Sequence, residues 1–177
     1  MQLFKDIVLM LTFLLVLLMF ATVFVSFFMA KVPFVPTRKK ILPLLEPHLK
    51  DRQGQLMVDI GCGDGKVLFW AEKKLGLKGR GFEIAPLPYL LSIVSRYLRS
   101  STVELRFANF FKQNLEDANL IFCYLFPELV EKAYDQAKKQ CKPGTLFICN
   151  TFRPKQLEPV KIISDETNKP YFYIYQL

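Results

Sequence analysis

The residues of this chain that could do chemistry begin in the stretch VDIGCGDGK, where three glycines and two aspartates follow an apolar run. Gly61, Gly63 and Gly65 alternate along the chain, so the backbone can turn sharply and no Cβ atom obstructs a ligand lying against it. Asp59 stands just before the glycines and Asp64 stands between two of them. The stretch therefore predicts a loop that binds a ligand at close range, on its backbone.

The charge of this loop distinguishes between two kinds of nucleotide ligand. A dinucleotide-binding loop has the spacing G-x-G-x-x-G and holds a pyrophosphate at a helix N-terminus. Here the spacing is G-x-G-x-G, and the carboxylates of Asp59 and Asp64 would repel a pyrophosphate. S-adenosylmethionine fits better, because it joins a sulfonium and an ammonium to an adenosine. We predict S-adenosylmethionine as the cofactor.

Three later residues are spaced as a nucleoside site requires. Glu83 ends the second predicted strand, 20 residues after Gly63, where a carboxylate can accept hydrogen bonds from both ribose hydroxyls. After the third predicted strand, Asn109 could bond the adenine amino group and Phe110 could stack on the ring. Taken singly, Glu83 also fits a solvated strand end and Phe110 a core aromatic. Their order along one βαβα pattern carries the prediction.

The elements that must position these residues alternate along the chain. Apolar runs predict five strands, helical spacing predicts three helices between them, and two closing strand-like runs joined by a short turn predict an antiparallel hairpin. The fold class is therefore α/β: a Rossmann-like, doubly wound sheet closed by an antiparallel hairpin. The strands are expected at 55–60, 79–84, 102–107, 118–125, 145–152, 160–166 and 171–177, and the helices at 66–76, 86–100 and 127–140.

The N-terminal part of the chain predicts one transmembrane helix. Residues 7–30 contain no charge, proline or glycine, and as a helix they would extend about 36 Å, enough to cross a hydrocarbon core of ~30 Å. A cleaved signal has a shorter apolar core followed by a small-residue cleavage site, so we favour a retained anchor. The only charged side chains before the span are Lys5 and Asp6, whereas four basic residues follow it within residues 31–40. This asymmetry predicts that the C-terminal part lies on the cytoplasmic side.

Three segments follow from this pattern: an anchor at 1–30, a linker and pre-domain segment at 31–54, and a catalytic domain at 55–177. The net charge of +8 lies in the last two, and beside a membrane it is explained by anionic lipid headgroups rather than nucleic acid. The four cysteines form no CxxC pair and His48 has no Cys or His neighbour, so no metal site is predicted. An Arg- and Ser-rich presequence is missing from the first turn, which favours a bacterial inner membrane over the mitochondrial inner membrane.

With these residues in hand, the chain resembles the class I (seven-β-strand) S-adenosylmethionine-dependent methyltransferases. VDIGCGDG looks like their glycine-rich motif, and Glu83 like their ribose-binding acid. The anchor together with VPFVPT, GFEIAP, ANFF, IFCYLFPELVEKA and KPGTLFICNTF is similar to the membrane-anchored protein-lysine methyltransferases, whose known mitochondrial members modify the adenine nucleotide translocase and the c-subunit of ATP synthase. The chain departs from that family at Asn109, where aspartate is usual. The matching residues are Pro33, Phe34, Pro36, Thr37, Asp59, Gly61, Gly63, Asp64, Gly65 and Glu83.

The resemblance implies methylation of lysine side chains in a membrane-associated protein. Tyr124 and Pro127 follow the fourth strand, where substrates of the superfamily enter, so we expect Tyr124 to line the acceptor channel. Ordinary core packing explains Tyr124 equally well. Phe34, Pro36 and Thr37 are expected to cap the cofactor. No residue stands out as a general base, so we assign no catalytic residue.

Other functions fit parts of the same pattern. A methyltransferase for a small molecule, lipid or quinone at the membrane would use the same anchor. An RNA methyltransferase would explain the net charge, but the chain has no appended RNA-binding module and no NPPY-like base-flipping motif. A binding protein that has lost catalysis would be expected to show damage in the glycine loop or at Glu83, and both are intact.

Overall fold

The structure, a computed structural model, describes residues 1–30 and 35–177, with the backbone alone for residues 22–30. The chain begins with α1, Gln2–Ala30, whose described side chains are all exposed. Within it, Gln2–Ala21 is long and apolar enough to cross a membrane, a test that a signal sequence would also pass. The predicted helix is therefore present, and its membrane role stays a prediction.

A compact segment connects α1 to the sheet. It consists of a 3-10 helix at Lys39–Leu45, α2 at Glu46–Leu49 and a second 3-10 turn at Lys50–Arg52. Pro47 lies in the first turn of α2, where its missing N–H group leaves no helical hydrogen bond unmade, whereas Pro43 lies inside the first 3-10 helix. Four apolar side chains of this segment belong to the core of the sheet domain: Ile41, Leu42, Leu45 and Leu49.

Seven strands form one sheet in the order β3-β2-β1-β4-β5-β7-β6. The first five are parallel, and β7 runs antiparallel to both β5 and β6. The predicted doubly wound sheet with its closing antiparallel hairpin is confirmed. The strands are β1 Leu56–Ile60, β2 Lys78–Glu83, β3 Glu104–Phe107, β4 Leu120–Cys123, β5 Leu146–Asn150, β6 Lys161–Ser164 and β7 Pro170–Gln176.

Helices cover both faces of the sheet: α3 at Lys66–Leu75, α4 at Pro86–Leu98 and α5 at Pro127–Gln140. Successive residues of a strand point to opposite faces. Met57 accordingly packs in the core under α3, whereas Val58 packs in the core under α5. The parallel strands are thus buried on both sides, which explains their nearly continuous apolar runs.

The strand register sets which residues meet at the carboxyl edge of the sheet. Ile60 of β1 pairs with Cys123 of β4, which pairs in turn with Cys149 of β5. Neighbouring strands lie about 4.8 Å apart, so the segments that leave β1, β4 and β5 emerge side by side. The chain order reverses between β1 and β4, and ligands of open α/β sheets bind at such a switch point.

Candidate active site

The glycine loop after β1 has a backbone that side chains would strain. Gly61, Gly63 and Gly65 have φ of +88°, +54° and +74°, in the left-handed region that favours glycine. The N–H groups of Gly61 and Cys62 both donate to the carbonyl of Phe82, at 2.9 and 3.0 Å. The loop is therefore held against the end of β2, and it leads through Gly65 into α3.

Glu83, the predicted ribose acid, braces this loop. Its buried carboxylate accepts the N–H of Gly63 at Oε2 and the N–H groups of Ile84 and Ala85 at Oε1, each at 2.8 Å. A carboxylate offers about four acceptor positions, and three are used here. One position is left for a ribose hydroxyl, so bonds to both hydroxyls would require one backbone N–H to be released.

Asp59 is buried beside the same loop, at 2% exposure. Burial raises the pKa of its carboxyl group well above the ordinary value, and the nearby carboxylates of Glu83 and Asp64 raise it further. A low-dielectric site disfavours the charged form of an isolated acid. An incoming cation would favour the ionised form of Asp59 and lower its pKa again.

Asp64 does not act as a free negative charge. Its carboxylate lies 3.0 Å from the Nζ atom of Lys66 and also accepts the N–H of Lys66 at 3.2 Å. Asp64 is one of the charges expected to repel a pyrophosphate, and this ion pair offsets part of its charge. Glu83 supplies negative potential at the site, and Asp59 adds to it when a nearby cation favours its ionised form.

The residues predicted for the adenine lie after β3. The Oδ1 atom of Asn109 accepts the N–H of Phe111 at 3.0 Å and starts a 3-10 turn at Phe110–Lys112. Phe110 is 9% exposed and packs in the core under α5, whereas Phe111 is 37% exposed, with its ring centroid 4.1 Å from that of Phe110. Stacking of Phe110 on adenine stays a prediction, and Phe111 is the ring that reaches the surface at this point.

An aromatic stack follows β4 and β5. The rings of Tyr124 and Phe126 both stack on Phe152, with centroids 6.4 and 5.9 Å apart and interplanar angles of 27° and 19°. The segment that carries Tyr124 and Phe126 adjoins the glycine loop through Leu125, because a Cβ atom at Gly61 would lie 3.0 Å from Cδ2 of that leucine. We call Tyr124, Phe126 and Phe152 the aromatic stack. Phe152 was not singled out from the sequence.

The turn that carries Phe152 has an unusual backbone. Thr151 has φ of +66°, in a region that β-branched residues rarely adopt. Its N–H donates to the carbonyl of Tyr171 at 2.8 Å, and its hydroxyl lies 3.0 Å from Oδ1 of the buried Asn150. Strained residues of this kind cluster at functional sites. The signal in the sequence was a polar pair at the carboxyl end of an apolar strand.

Gly81 also contributes to the site, and the sequence analysis did not single it out. It pairs with Asp59 across β1 and β2, directly below the loop. A Cβ atom there would lie 2.6 Å from Sγ of Cys62 and 2.9 Å from Cδ1 of Leu68. Only glycine lets the loop pack this closely on β2.

The remaining predicted site residues lie on two segments. Pro127 is the first residue of α5, immediately after the aromatic stack. Of the predicted cofactor cap, Thr37 is buried and Pro36 is exposed, while Phe34 lies outside the described residues. Their role as a cap stays a prediction.

Comparison with known proteins identifies relatives of this chain. Residues 59–161 match the model of the ANTKMT methyltransferase domain. A protein-lysine N-methyltransferase of Saccharolobus islandicus is 25% identical over 147 residues, covering 81% of this chain and 91% of its own length. The adenine nucleotide translocase lysine N-methyltransferase of Mus musculus is 23% identical over 146 residues, and this match spans 63% of the mouse protein.

Solved structures agree with the fold. An RNA methyltransferase from Salinibacter ruber, in complex with S-adenosyl-L-homocysteine, has a TM-score of 0.73 at 25% identity, covering 80% of this chain and 93% of that one. A methyltransferase from Pyrococcus furiosus, at 16% identity and a TM-score of 0.64, shares the fold over 88% of this chain and 96% of its own. Since the domain match extends over more than half of its residues, the chain belongs to the ANTKMT methyltransferase family, within the class I S-adenosylmethionine-dependent methyltransferases.

Proposed function

We propose that this protein transfers the methyl group of S-adenosylmethionine to the Nε atom of a lysine in a membrane-associated protein. The observation that carries the proposal is the aromatic stack on the segments that follow β4 and β5, the first of which lies against the glycine loop through Leu125. Both curated relatives bear the names of lysine methyltransferases, and each match extends over 81% of this chain.

The chain's own residues fit the proposed cofactor. The left-handed glycines leave the loop backbone open to close approach, and Glu83 has one acceptor position for a ribose hydroxyl. Glu83 supplies negative potential for an ammonium group, and Asp59 would ionise beside that group. Bound there, S-adenosylmethionine supplies an electrophilic methyl group. The residues proposed to hold it are Asp59, Gly61, Gly63, Asp64, Gly65 and Glu83, with Asn109 and Phe110 at the adenine.

The aromatic stack would prepare the acceptor. A lysine amine attacks only in its neutral form, and apolar surroundings lower its pKa by disfavouring the ammonium ion. The rings of Tyr124, Phe126 and Phe152 would offer such a side chain an apolar surface that excludes water. Holding the nitrogen in line with the methyl group supplies most of the rate. In the transfer the nitrogen would form a bond to the methyl carbon while the carbon–sulfur bond of the donor breaks and S-adenosylhomocysteine leaves. One proton would pass from the nitrogen to solvent, and we assign no general base.

The membrane part of the proposal depends on α1. We propose that residues 1–30 anchor the protein, that residues 31–54 connect the anchor to the catalytic domain, and that residues 55–177 form this domain. The buried leucines of residues 41–49 extend the core of the catalytic domain. The basic residues after α1 support a catalytic domain on the cytoplasmic side, and the membrane that we propose is a bacterial inner membrane. An anchored enzyme meets substrates of the same membrane at high effective concentration.

The test is to follow the methyl group. Membranes from cells that lack the protein are incubated with the purified full-length chain and methyl-tritiated S-adenosylmethionine, then separated into protein, lipid and RNA. We expect label in protein, released as methyllysine on hydrolysis. Glu83→Gln serves as the impaired control.

Two other outcomes would replace the proposed acceptor. Label in lipid would support a lipid or quinone methyltransferase at the membrane. Label in RNA would support the second candidate function, which the Salinibacter ruber neighbour and the net charge of +8 favour. The lysine proposal fails in either case, while the family assignment does not.

A further inference from the structure

The outer face of α4 carries an apolar stripe that the fold leaves uncovered. Its residues follow helical spacing and lie opposite the buried Pro88 and Ser92, which face the sheet. Tyr97 and Leu98 are 82% and 74% exposed, and the other three are about half exposed. We call this set the α4 stripe: Leu90, Leu91, Val94, Tyr97 and Leu98. A contiguous apolar surface of this kind marks a contact with a protein or a membrane.

The position of α4 indicates which contact this is. The helix α1 lies in contact with α4. With 29 residues, α1 extends about 43 Å, longer than a hydrocarbon core of about 30 Å. Its end therefore reaches the headgroup level if the helix spans a bilayer. The catalytic domain that carries α4 lies outside the bilayer in the proposed arrangement, so the contact of α4 with α1 puts α4 near the membrane surface.

The charge of the α4 segment fits the same surface. Residues 84–103 contain no aspartate or glutamate, and Arg96 and Arg99 near the end of α4 are both exposed. Basic side chains near a cytoplasmic leaflet are attracted to its anionic lipids. An apolar helix face accompanied by arginine is typical of helices that lie in the plane of the interface.

We propose that α4 docks its stripe into the headgroup–acyl boundary of the bilayer that α1 spans, and that the lipid partner includes anionic headgroups. The proposal rests on the membrane anchoring proposed above. Because α4 begins at Pro86, immediately after the segment that follows Glu83, docking holds the cofactor edge of the sheet close to the lipid surface. The lysine substrate is then one that lies at the membrane–water interface.

The experiment uses the full-length chain in vesicles of phosphatidylcholine mixed with anionic phosphatidylglycerol. A Cys141→Ser background removes the half-buried thiol, while the other cysteines are buried. An environment-sensitive fluorophore is attached at Tyr97→Cys, and at Lys138→Cys on α5 as the matched control, on the opposite face of the sheet. Lipids that carry a nitroxide near the headgroup serve as quenchers. Resistance to carbonate extraction reports separately whether α1 is inserted.

We expect a blue-shifted emission at position 97 that is lost when nitroxide lipid is added, and no loss of emission at position 138. Val94→Glu should restore most of the emission at position 97, and omission of phosphatidylglycerol should weaken the quenching. Carbonate-resistant protein with no quenching at position 97 would overturn this proposal and leave the anchored enzyme intact. Protein that carbonate extracts from the vesicles would overturn both the docking of α4 and the proposed membrane anchoring by α1. A blue shift without quenching, together with dimers in sedimentation, would assign the stripe to a second copy.

Discussion

Replacing Glu83 with glutamine tests the most specific contact of the site. The substitution keeps the length of the side chain but removes its charge. Gln retains one oxygen for the N–H groups of Ile84 and Ala85, and its amide nitrogen then faces the N–H of Gly63. A buried donor of the glycine loop is left without its partner.

The expected loss can be worked out from these three bonds. A hydrogen bond to a charged group contributes about 1.5–3 kcal/mol, and neutral bonds are roughly half as strong. One bond is lost and two are weakened, so at the lower end of this range the free energy of unfolding should fall by about 3 kcal/mol. For a domain of this size the melting temperature should fall by roughly 10 °C. Loss of the one acceptor left for the ribose should weaken cofactor binding about tenfold to a hundredfold.

Differential scanning calorimetry measures the first quantity and isothermal titration with S-adenosylmethionine the second, at a temperature where both proteins are folded. Glu166→Gln, in the exposed turn between β6 and β7, is the matched control and should change neither. Unchanged melting temperature and unchanged affinity in Glu83→Gln would refute the bracing role and move the ligand elsewhere.

Three further substitutions test other parts of the site. Gly81→Ala places a methyl group 2.6 Å from Sγ of Cys62, so thermal melts should show a fall of about 1–3 kcal/mol in the free energy of unfolding. Adding Cys62→Ala should recover part of this loss. An unchanged stability in Gly81→Ala would contradict the close packing. Because burial raises the pKa of Asp59 in the folded state, the cofactor-free protein binds more protons than the unfolded chain, and its stability should fall as pH rises from the ordinary carboxyl pKa toward the raised one. Asp59→Asn should abolish that fall in melts across this pH range, and an identical slope in both proteins would count against it. Phe152→Leu removes the ring stacks with Tyr124 and Phe126, so kcat/KM for the protein substrate should fall about tenfold. The cofactor affinity measured by titration should stay constant, and Phe152→Tyr should restore the rate. An equal loss of kcat/KM in both variants would argue against stacking.

The sequence predicts the elements of the fold because each carries a local pattern. The apolar run before Gly61 forms β1. The helical spacing after Lys66 stops at Gly76, which caps the C-terminus of α3 with a left-handed φ of +62°. The closing hairpin is equally local, since a short turn joins its two strands. Sheet order is not local, and the sequence patterns predicted a doubly wound sheet without giving the order of its strands.

The site was predictable where it depends on backbone conformation and not where it depends on contacts between distant segments. The alternating glycines required left-handed φ, and the structure has it. The contact of Gly81 with Cys62 and the stacking of Phe152 on Tyr124 depend on strand pairing, which spacing along the chain does not reveal. The burial of Phe110 depends on α5, which packs over it.

Mass spectrometry of membrane proteins tests the central claim most directly. Membranes are incubated with the full-length chain and S-adenosylmethionine that carries a deuterated methyl group, and the heavy methyl is located by peptide sequencing. The account predicts the heavy methyl on the Nε atom of lysines near a membrane surface, and its loss with Glu83→Gln. Heavy methyl on other residue types, or in lipid or RNA with none on lysine, would contradict it.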